Sequence, residues 1–428
     1  MIAKNRDVKT NRYQFLEVGK SREDVLNDLG QRRVLAADLD WHNPRNLKAC
    51  YYAGDDVVQI SLDAYSMFFG DNLLYSSSLF PSLPDMSSEV VGKALELLNA
   101  PAGAGGTVTS GGTESILLAV RSALHRARTR GGVFSTPEMV LAYNAHPAFD
   151  KAANMMGIKT IRTPLLAHRA DPDAMADAMT ENTIMLVASA HAYPLGHIDP
   201  IAEISVLAES RDTWLHVDGC IGGFFLPFVE DLGYDVPNFD FRVPGVTSMS
   251  ADLHKYGFTA RGASLVLLRD ELNSKYHQFN FCDWPTGEFN TPTLMGSRPA
   301  GAVASAWTVM NYLGRNGYRD RTEKTMASRG AMIKAVTAVE GVHLTGAPEG
   351  GMIGFHGDPD LDMFAVRDGL TARGWYTGIV MEPQGFQMLL NYRTGQIVEA
   401  FANDLAEVAE QVRKGTLTVT GADMSYGG

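Results

Sequence analysis

A lysine inside a run of small, weakly charged residues is poorly explained as a solvated surface charge. Lys255 stands in Ser248-Met249-Ser250-Ala251-Asp252-Leu253-His254-Lys255-Tyr256-Gly257. A desolvated lysine loses its proton readily and can attack a carbonyl. Upstream, Asp218 ends the apolar run Trp214 to Asp218 and begins Asp218-Gly219-Cys220. A carboxylate so placed can pair with a cationic ring nitrogen and hold it protonated. From Gly105 to Glu114 the sequence reads GGTVTSGGTE, a small-residue loop running into a helical Ser115 to Val120. Free backbone N–H groups at a helix start, with nearby hydroxyls, form a phosphate site, and glycines let the phosphate approach. The run is neither a P-loop, since no GK[ST] follows, nor a GxGxxG fingerprint. In Asn144-Ala145-His146-Pro147, His146 follows a strand-like run and could stack on a flat ligand. Taken singly, each feature has a plainer reading: a capped turn, a loop carboxylate, a snorkelling lysine or a capping histidine.

Residues so far apart in sequence need a scaffold to meet. From about residue 101, short apolar runs alternate with helical patterns. Met139 to Tyr143, Lys159 to Leu165, Thr183 to Ser189, Trp214 to Asp218 and Ser264 to Leu268 read as strands. Ala148 to Met156, Asp173 to Met179 and Ile201 to Glu209 read as helices. Thr183 to Ser189 is almost continuously apolar, as expected of a strand buried on both faces. The alternation predicts an α/β domain with a mostly parallel sheet flanked by helices over residues 101–313. A helical segment from Gly301 to Leu313 leads out of it. Helical spacing at Asp362 to Arg373 and Gln396 to Arg413, with extended Val342 to Thr345 and Met388 to Asn391, predicts a smaller C-terminal α+β domain over 314–428. Residues 1–100 carry turn signals and one clear helix, Ser87 to Leu98, which suggests an N-terminal arm or wrap. The four chemical stations each follow a separate strand, where open α/β sheets bind ligands. Together they offer a phosphate cradle, a stacking ring, an acid for a pyridine nitrogen and an amine for an aldehyde. That set matches pyridoxal 5′-phosphate (PLP).

Bulk properties agree. The chain has 428 residues, 45% hydrophobic and 20% charged, with a net charge of −12. The acidic balance argues against nucleic acid or an anionic membrane as partner. Cys50, Cys220 and Cys282 lack CxxC spacing, which fits a reducing cytoplasm rather than a disulfide framework. The eleven histidines form no HExxH-type cluster, so no metal is expected. No signal peptide is evident, and no run reaches the roughly 20 apolar residues of a membrane span.

Four strings resemble the sphingosine-1-phosphate lyase branch of the group II PLP-dependent decarboxylases, which have fold type I. They are GTVTSGGTES at 106–115, HVDGCIGGFFLPF at 216–228, SADLHKYGFTARG at 250–262 and GSRPAG at 296–301. The similarity runs from about residue 45 to about 413. It implies that Lys255 holds PLP as a Schiff base with His254 beside it, that Asp218 pairs with the ring nitrogen, and that His146 stacks on the ring. It implies Gly112, Thr113 and Ser250 at the phosphate. It also implies a homodimer in which Gly296 and Ser297 reach the partner's cofactor. On the substrate side it maps onto Ala49, Tyr51, Asn72, Tyr193 and Arg261. Two departures fall on that side. The family's N-x-L-H is Asn72-Leu73-Leu74-Tyr75, and its Pro-His-Gly is Pro194-Leu195-Gly196. The implied activity is cleavage of a phosphorylated amino alcohol to an aldehyde and a phosphorylated amine, with Tyr193, His254 or Lys255 moving protons. Amino-acid decarboxylation is the alternative. The expected substrate is anionic, held by Arg261 and Lys48.

Overall fold

The computed structural model describes residues 15–34, 41–48, 50–75, 78–131 and 136–417. A seven-stranded sheet forms its centre: β1 Gly105–Thr109, β2 Glu138–Ala142, β3 Lys159–Thr163, β4 Thr183–Ser189, β5 Trp214–Asp218, β6 Val246–Ala251 and β7 Ser264–Leu268. The strand order is β1-β7-β6-β5-β4-β2-β3. Neighbours from β3 to β6 are parallel, whereas β7 is antiparallel to both β6 and β1. Because β6 and β7 pair antiparallel, the chain leaves the sheet at Ala251 and re-enters at Ser264 by one loop, without a crossover helix.

Alternate residues of the central strands serve two cores. Met139, Leu141, Val187 and Trp214 pack with helices Gly112–Thr129 and Ala148–Met156 on one face. Val140, Leu186, Leu215 and Val217 pack with helix Ile201–Ser210 and the start of helix Ala300–Thr337 on the other. This is the α/β architecture expected from the alternating pattern. A third core surrounds a smaller antiparallel sheet of β8 Val342–Leu344, β9 Met352–Gly357, β10 Gly378–Met381 and β11 Gln384–Leu389, in the order β8-β9-β11-β10. Helices Met363–Ala372 and Val398–Arg413 cover it.

The long helix joins the two parts. It continues to Thr337, past the expected end at Leu313, but Gly314 interrupts it with φ 53° and ψ −177°. Helix Asp55–Met67, which the sequence reading does not identify, lies against its first turns. There a Cβ on Gly301 would come within 2.8 Å of the Tyr65 carbonyl, and Ser61 and Ser305 share a buried hydrogen bond of 2.7 Å. The Ser87 to Leu98 helix begins earlier, at Ser82. Gly105–Thr109, expected as a loop, is a strand, because its backbone pairs along its whole length with β7. Among the described residues no helix is long and apolar enough to cross a membrane.

Four histidines, His191, His197, His216 and His277, are buried so deeply that their pKa values are pushed down to about 4, 3, 4 and 4. In the unfolded chain the same side chains take up protons near pH 6.5. Between pH 6.5 and 4 the unfolded state therefore binds more protons, so stability falls as pH falls. The midpoint of urea unfolding should decline steadily across that window. A midpoint that stays level from pH 6.5 to 5 would contradict this reading.

Candidate active site

Parallel pairing aligns three polar residues in one rank at the carboxyl ends of neighbouring strands. Ser189 on β4 is opposite Asp218 on β5, which is opposite Ser250 on β6. Asp218 is buried, and its Oδ1 accepts hydrogen bonds from the Ser250 hydroxyl at 3.1 Å and the Cys220 backbone N–H at 3.0 Å. Burial alone would raise its pKa, but His146 and Lys255, with the donors from Cys220, outweigh that and hold it below the usual value. The carboxylate thus stays charged inside the protein.

His146 sits in the turn after β2. Its Nδ1 accepts from the Ala148 backbone N–H at 3.1 Å, at the start of a helix whose preceding Pro147 makes no side-chain cap. In the neutral ring the proton therefore resides on Nε2. Burial, opposed by Asp218, lowers its pKa. The capping reading and the stacking reading of this residue are compatible.

Lys255 belongs to the loop between β6 and β7. That loop is pinned on itself: the His254 N–H donates to the Ala263 carbonyl at 3.1 Å, and the Ala263 N–H returns a bond to His254 Nδ1 at 3.2 Å. Lys255 Nζ lies 3.0 Å from the buried Asp252 carboxylate, with His254 Nε2 3.7 Å from the same oxygen. Burial disfavours the ammonium, but Asp252, Tyr51, Cys220 and Asp218 overcome this and raise its pKa well above the ordinary lysine value, so, against the expectation of a lysine that sheds its proton through desolvation, these neighbours keep it charged.

After β1 the chain turns through Ser110 and Gly111 into helix Gly112–Thr129, which has no side-chain cap. Its first N–H groups have no intrahelical partners. The buried Glu114 fixes the turn by accepting from the Ser110 N–H at 2.7 Å and hydroxyl at 2.6 Å, and it ties in the Leu294 N–H at 2.9 Å. A Cβ at Gly112 would stand 2.7 Å from Cys220 Sγ and 2.9 Å from the Asp252 carboxylate oxygens, so only glycine fits there.

These parts open on one cavity of about 450 Å³. Gly112, Thr113, His146, Asp218, His254 and Lys255 line it, and Tyr193 stands on its wall. The Tyr193 hydroxyl accepts from Gln387 Nε2 of β11 at 2.7 Å, so the smaller sheet helps set that wall. The other expected residues lie elsewhere. Ser250 is fully buried and gives its hydroxyl to Asp218, not to the cavity. Asn72 donates to the Ser297 hydroxyl at 3.0 Å and accepts from the Arg298 N–H, and neither Asn72, Gly296 nor Ser297 lines the cavity. Tyr51 and Arg261 line a neighbouring groove of about 780 Å³ that shares His254, with the guanidinium 5.8 Å from the Tyr51 ring centre. Lys48 is exposed, and Ala49 lies outside the described residues.

The sequence reading passes over Asp252, Glu114, Gln387 and His191. Asp252 carries a signal in its place three residues before Lys255. Glu114 and Gln387 show their roles only through contacts with distant segments. The residues present fit PLP: an uncapped helix start for a phosphate, a charged carboxylate for a ring nitrogen, and an amine for an aldehyde.

Comparison with known proteins decides the family. The pyridoxal-dependent decarboxylase conserved domain matches residues 11–357. The sphingosine-1-phosphate lyase of rice, Oryza sativa, is 36% identical over 421 residues, covering 96% of this chain and 77% of that protein. The chain belongs to the sphingosine-1-phosphate lyase branch of the PLP-dependent decarboxylases. Its fold agrees closely with the solved sphingosine-1-phosphate lyase of Burkholderia pseudomallei, with a TM-score of 0.89, 36% identity and 94% of each chain covered. The glutamate decarboxylase of Lactobacillus brevis shares the fold, with a TM-score of 0.79 at 21% identity over 95% of this chain and 97% of that one. The chain is thus a PLP-dependent lyase with the type I fold.

If Lys255 is the attachment point, Lys255→Ala should remove the visible absorbance of the bound cofactor and the covalent link that borohydride fixes. Mass spectrometry of the reduced protein checks this. A cofactor-sized adduct persisting on Lys255→Ala would reassign the site.

Proposed function

We propose that this enzyme cleaves the bond between the amine-bearing carbon and the neighbouring hydroxyl-bearing carbon of a phosphorylated long-chain amino alcohol, giving a long-chain aldehyde and phosphorylated ethanolamine. What carries this reading is the single cavity that joins the Lys255 amine, the charged Asp218 and the uncapped start of helix Gly112–Thr129. Lyases rather than decarboxylases are the relatives at high identity, 36% against 21%. That difference favours carbon–carbon cleavage over loss of CO₂.

PLP, when bound, supplies an electron sink for the electrons of the breaking bond. The chain's residues do the rest. Lys255 would anchor the cofactor, and its amine, when free, would be able to carry a proton. Asp218, kept charged by Ser250, the Cys220 N–H and His146, holds the ring nitrogen protonated. The first N–H groups of the helix, with Thr113, hold the phosphate. His146, on the cavity wall, would stack on the ring. Tyr193, fixed by Gln387, and His254, fixed by Ala263, are the other groups placed to donate or accept a proton. Asp252 positions both His254 and Lys255.

Gly296 and Ser297 do not line their own chain's cavity, which supports a homodimer in which they complete the partner's site, with Asn72 bracing the segment. Arg261 binds the anionic group of the substrate, since its groove adjoins the cavity through His254. Cysteines without disulfide spacing support a cytoplasmic setting.

PLP-loaded protein incubated with a phosphorylated sphingoid base should release a long-chain aldehyde, detected by mass. Release of CO₂ from an amino acid, with no aldehyde from the sphingoid base, would overturn the proposal. Arg261→Ala should cut kcat/KM for the phosphorylated substrate by about ten- to a hundredfold, the worth of a hydrogen-bonded charge. It should leave PLP content and turnover of the unphosphorylated analogue nearly unchanged. Equal loss on both substrates would assign Arg261 a structural role.

A further inference from the structure

The first turn of helix Gly112–Thr129 holds two places at once. Glu114 is its third residue and is 5% exposed. One carboxylate oxygen, Oε2, accepts from the Ser110 N–H and hydroxyl. That is an ordinary task for a glutamate near a helix start, which reaches back to satisfy the preceding turn. The other oxygen, Oε1, serves a segment 180 residues away in sequence. It accepts from the Leu294 N–H at 2.9 Å and the Met295 N–H at 3.4 Å. Helix capping does not require those two bonds.

The distant segment is tied down from its other side too. Arg298 donates to the Thr293 hydroxyl at 2.6 Å and to the carbonyls of Met295 at 3.0 Å and Gly296 at 2.9 Å. Asn72 donates to the Ser297 hydroxyl and accepts from the Arg298 N–H. Residues 293–298 thus form a knot whose backbone is held by its own chain, while Leu294 and Met295 stay 58% and 40% exposed. A fixed backbone with outward apolar side chains suits contact with another molecule, because little order remains to be lost on binding. Ser110 to Glu114 line the cavity, whereas none of residues 294–297 does. One buried carboxylate therefore spans the phosphate turn of this chain's site and a segment outside that site.

We propose that Glu114 is a positioning residue for the partner subunit's active site: it holds residues 294–297 in the shape that completes that site, so each cofactor site depends on the carboxylates of both chains. The inference rests on the homodimer proposed above and names the group that joins its two sites. The chemistry makes the role specific to a carboxylate. A carboxylate accepts on both oxygens, whereas a glutamine amide has one oxygen and one NH2 group. Turned either way, glutamine presents a donor to one of the two sets of donors.

Hybrid dimers of two differently tagged chains test this. In the reference hybrid a Lys255→Ala chain is paired with a wild-type chain, so the cofactor can link covalently at one site only, and its visible absorbance reports that site alone. Adding Glu114→Gln to the Lys255→Ala chain leaves every residue of the working chain intact and alters only the segment it receives. Titration with PLP should then show affinity at the working site weaker by about tenfold than in the reference, the worth of a hydrogen bond to a charged group. Placing Glu114→Gln on the working chain instead should also weaken binding, through the Ser110 turn. If only this second hybrid loses affinity, and the first matches the reference, Glu114 acts within its own chain and the assignment is overturned. If Glu114→Gln does not fold, Glu114→Asp, too short to reach both segments, replaces it in the same comparison. No amine substrate enters the measurement, so failure of the proposed cleavage reaction leaves the result intact. Sedimentation of the PLP-loaded protein as a monomer would overturn the homodimer and this role together, whereas a dimer whose first hybrid matches the reference overturns the role of Glu114 alone.

Discussion

A carboxylate kept charged in the interior of a protein is costly unless its surroundings compensate the lost water. Asp218 is such a charge, and much of the molecule is arranged around it. Its donors come from the next strand, through Ser250, and from the turn that follows its own strand, through Cys220. Its opposing charge comes from Lys255, and the His146 imidazole also lies close enough to favour the carboxylate, the two standing on further connections of the same sheet. None of these groups can move far without exposing the carboxylate to a deficit, so the constraint fixes β2, β5, β6 and the β6–β7 loop relative to one another. The parallel register that puts Ser189, Asp218 and Ser250 in line is what makes the arrangement possible.

The smaller domain takes part in the site without supplying its charged groups. Gln387 holds the Tyr193 hydroxyl, Gly350 supports the face of His191, and the buried Tyr256 hydroxyl donates to the carbonyls of Gly351 at 3.2 Å and Leu390 at 2.8 Å. Tyr256 directly follows Lys255, so the lysine loop is fastened to the second sheet as well as to the first. The Tyr193 wall of the cavity is therefore built at the seam between two cores, whereas the Asp218 side belongs to one.

Legibility in the sequence followed burial. Thr183–Ser189, Trp214–Asp218 and Ser264–Leu268 are largely apolar runs, and the structure places strands at those residues. Helix Ala148–Met156 was equally plain from its spacing. Val246–Ala251 escaped notice because its residues are small and partly polar, VTSMSA, and it is a strand only because β5 and β7 flank it. Gly105–Thr109 looked like a loop for the same reason. The long helix was cut short at Leu313 because a glycine follows, and local propensity does not reveal that helix resumes beyond it. Within the site, residues embedded in distinctive strings were readable. His191 is not, since a histidine after a strand carries no spacing signal, and only its burial on the cavity wall sets it apart.

The reversed direction of β7 has a kinetic consequence. Had β6 been followed by a crossover helix, Lys255 would have ridden on a connection reaching across a sheet face to a strand parallel to β6. Instead it sits on a hairpin-like span, residues 252–263, whose two ends are adjacent rungs of one ladder. Cross-bonds between His254 and Ala263 shorten the free length of that span and so the entropy lost in closing it. An amine on that tether samples a very small volume, so its local concentration over the cavity is on the order of millimolar or higher. If Lys255 is where the cofactor attaches, the direction of β7 thus keeps the nitrogen that must reclaim it at the mouth of the cavity.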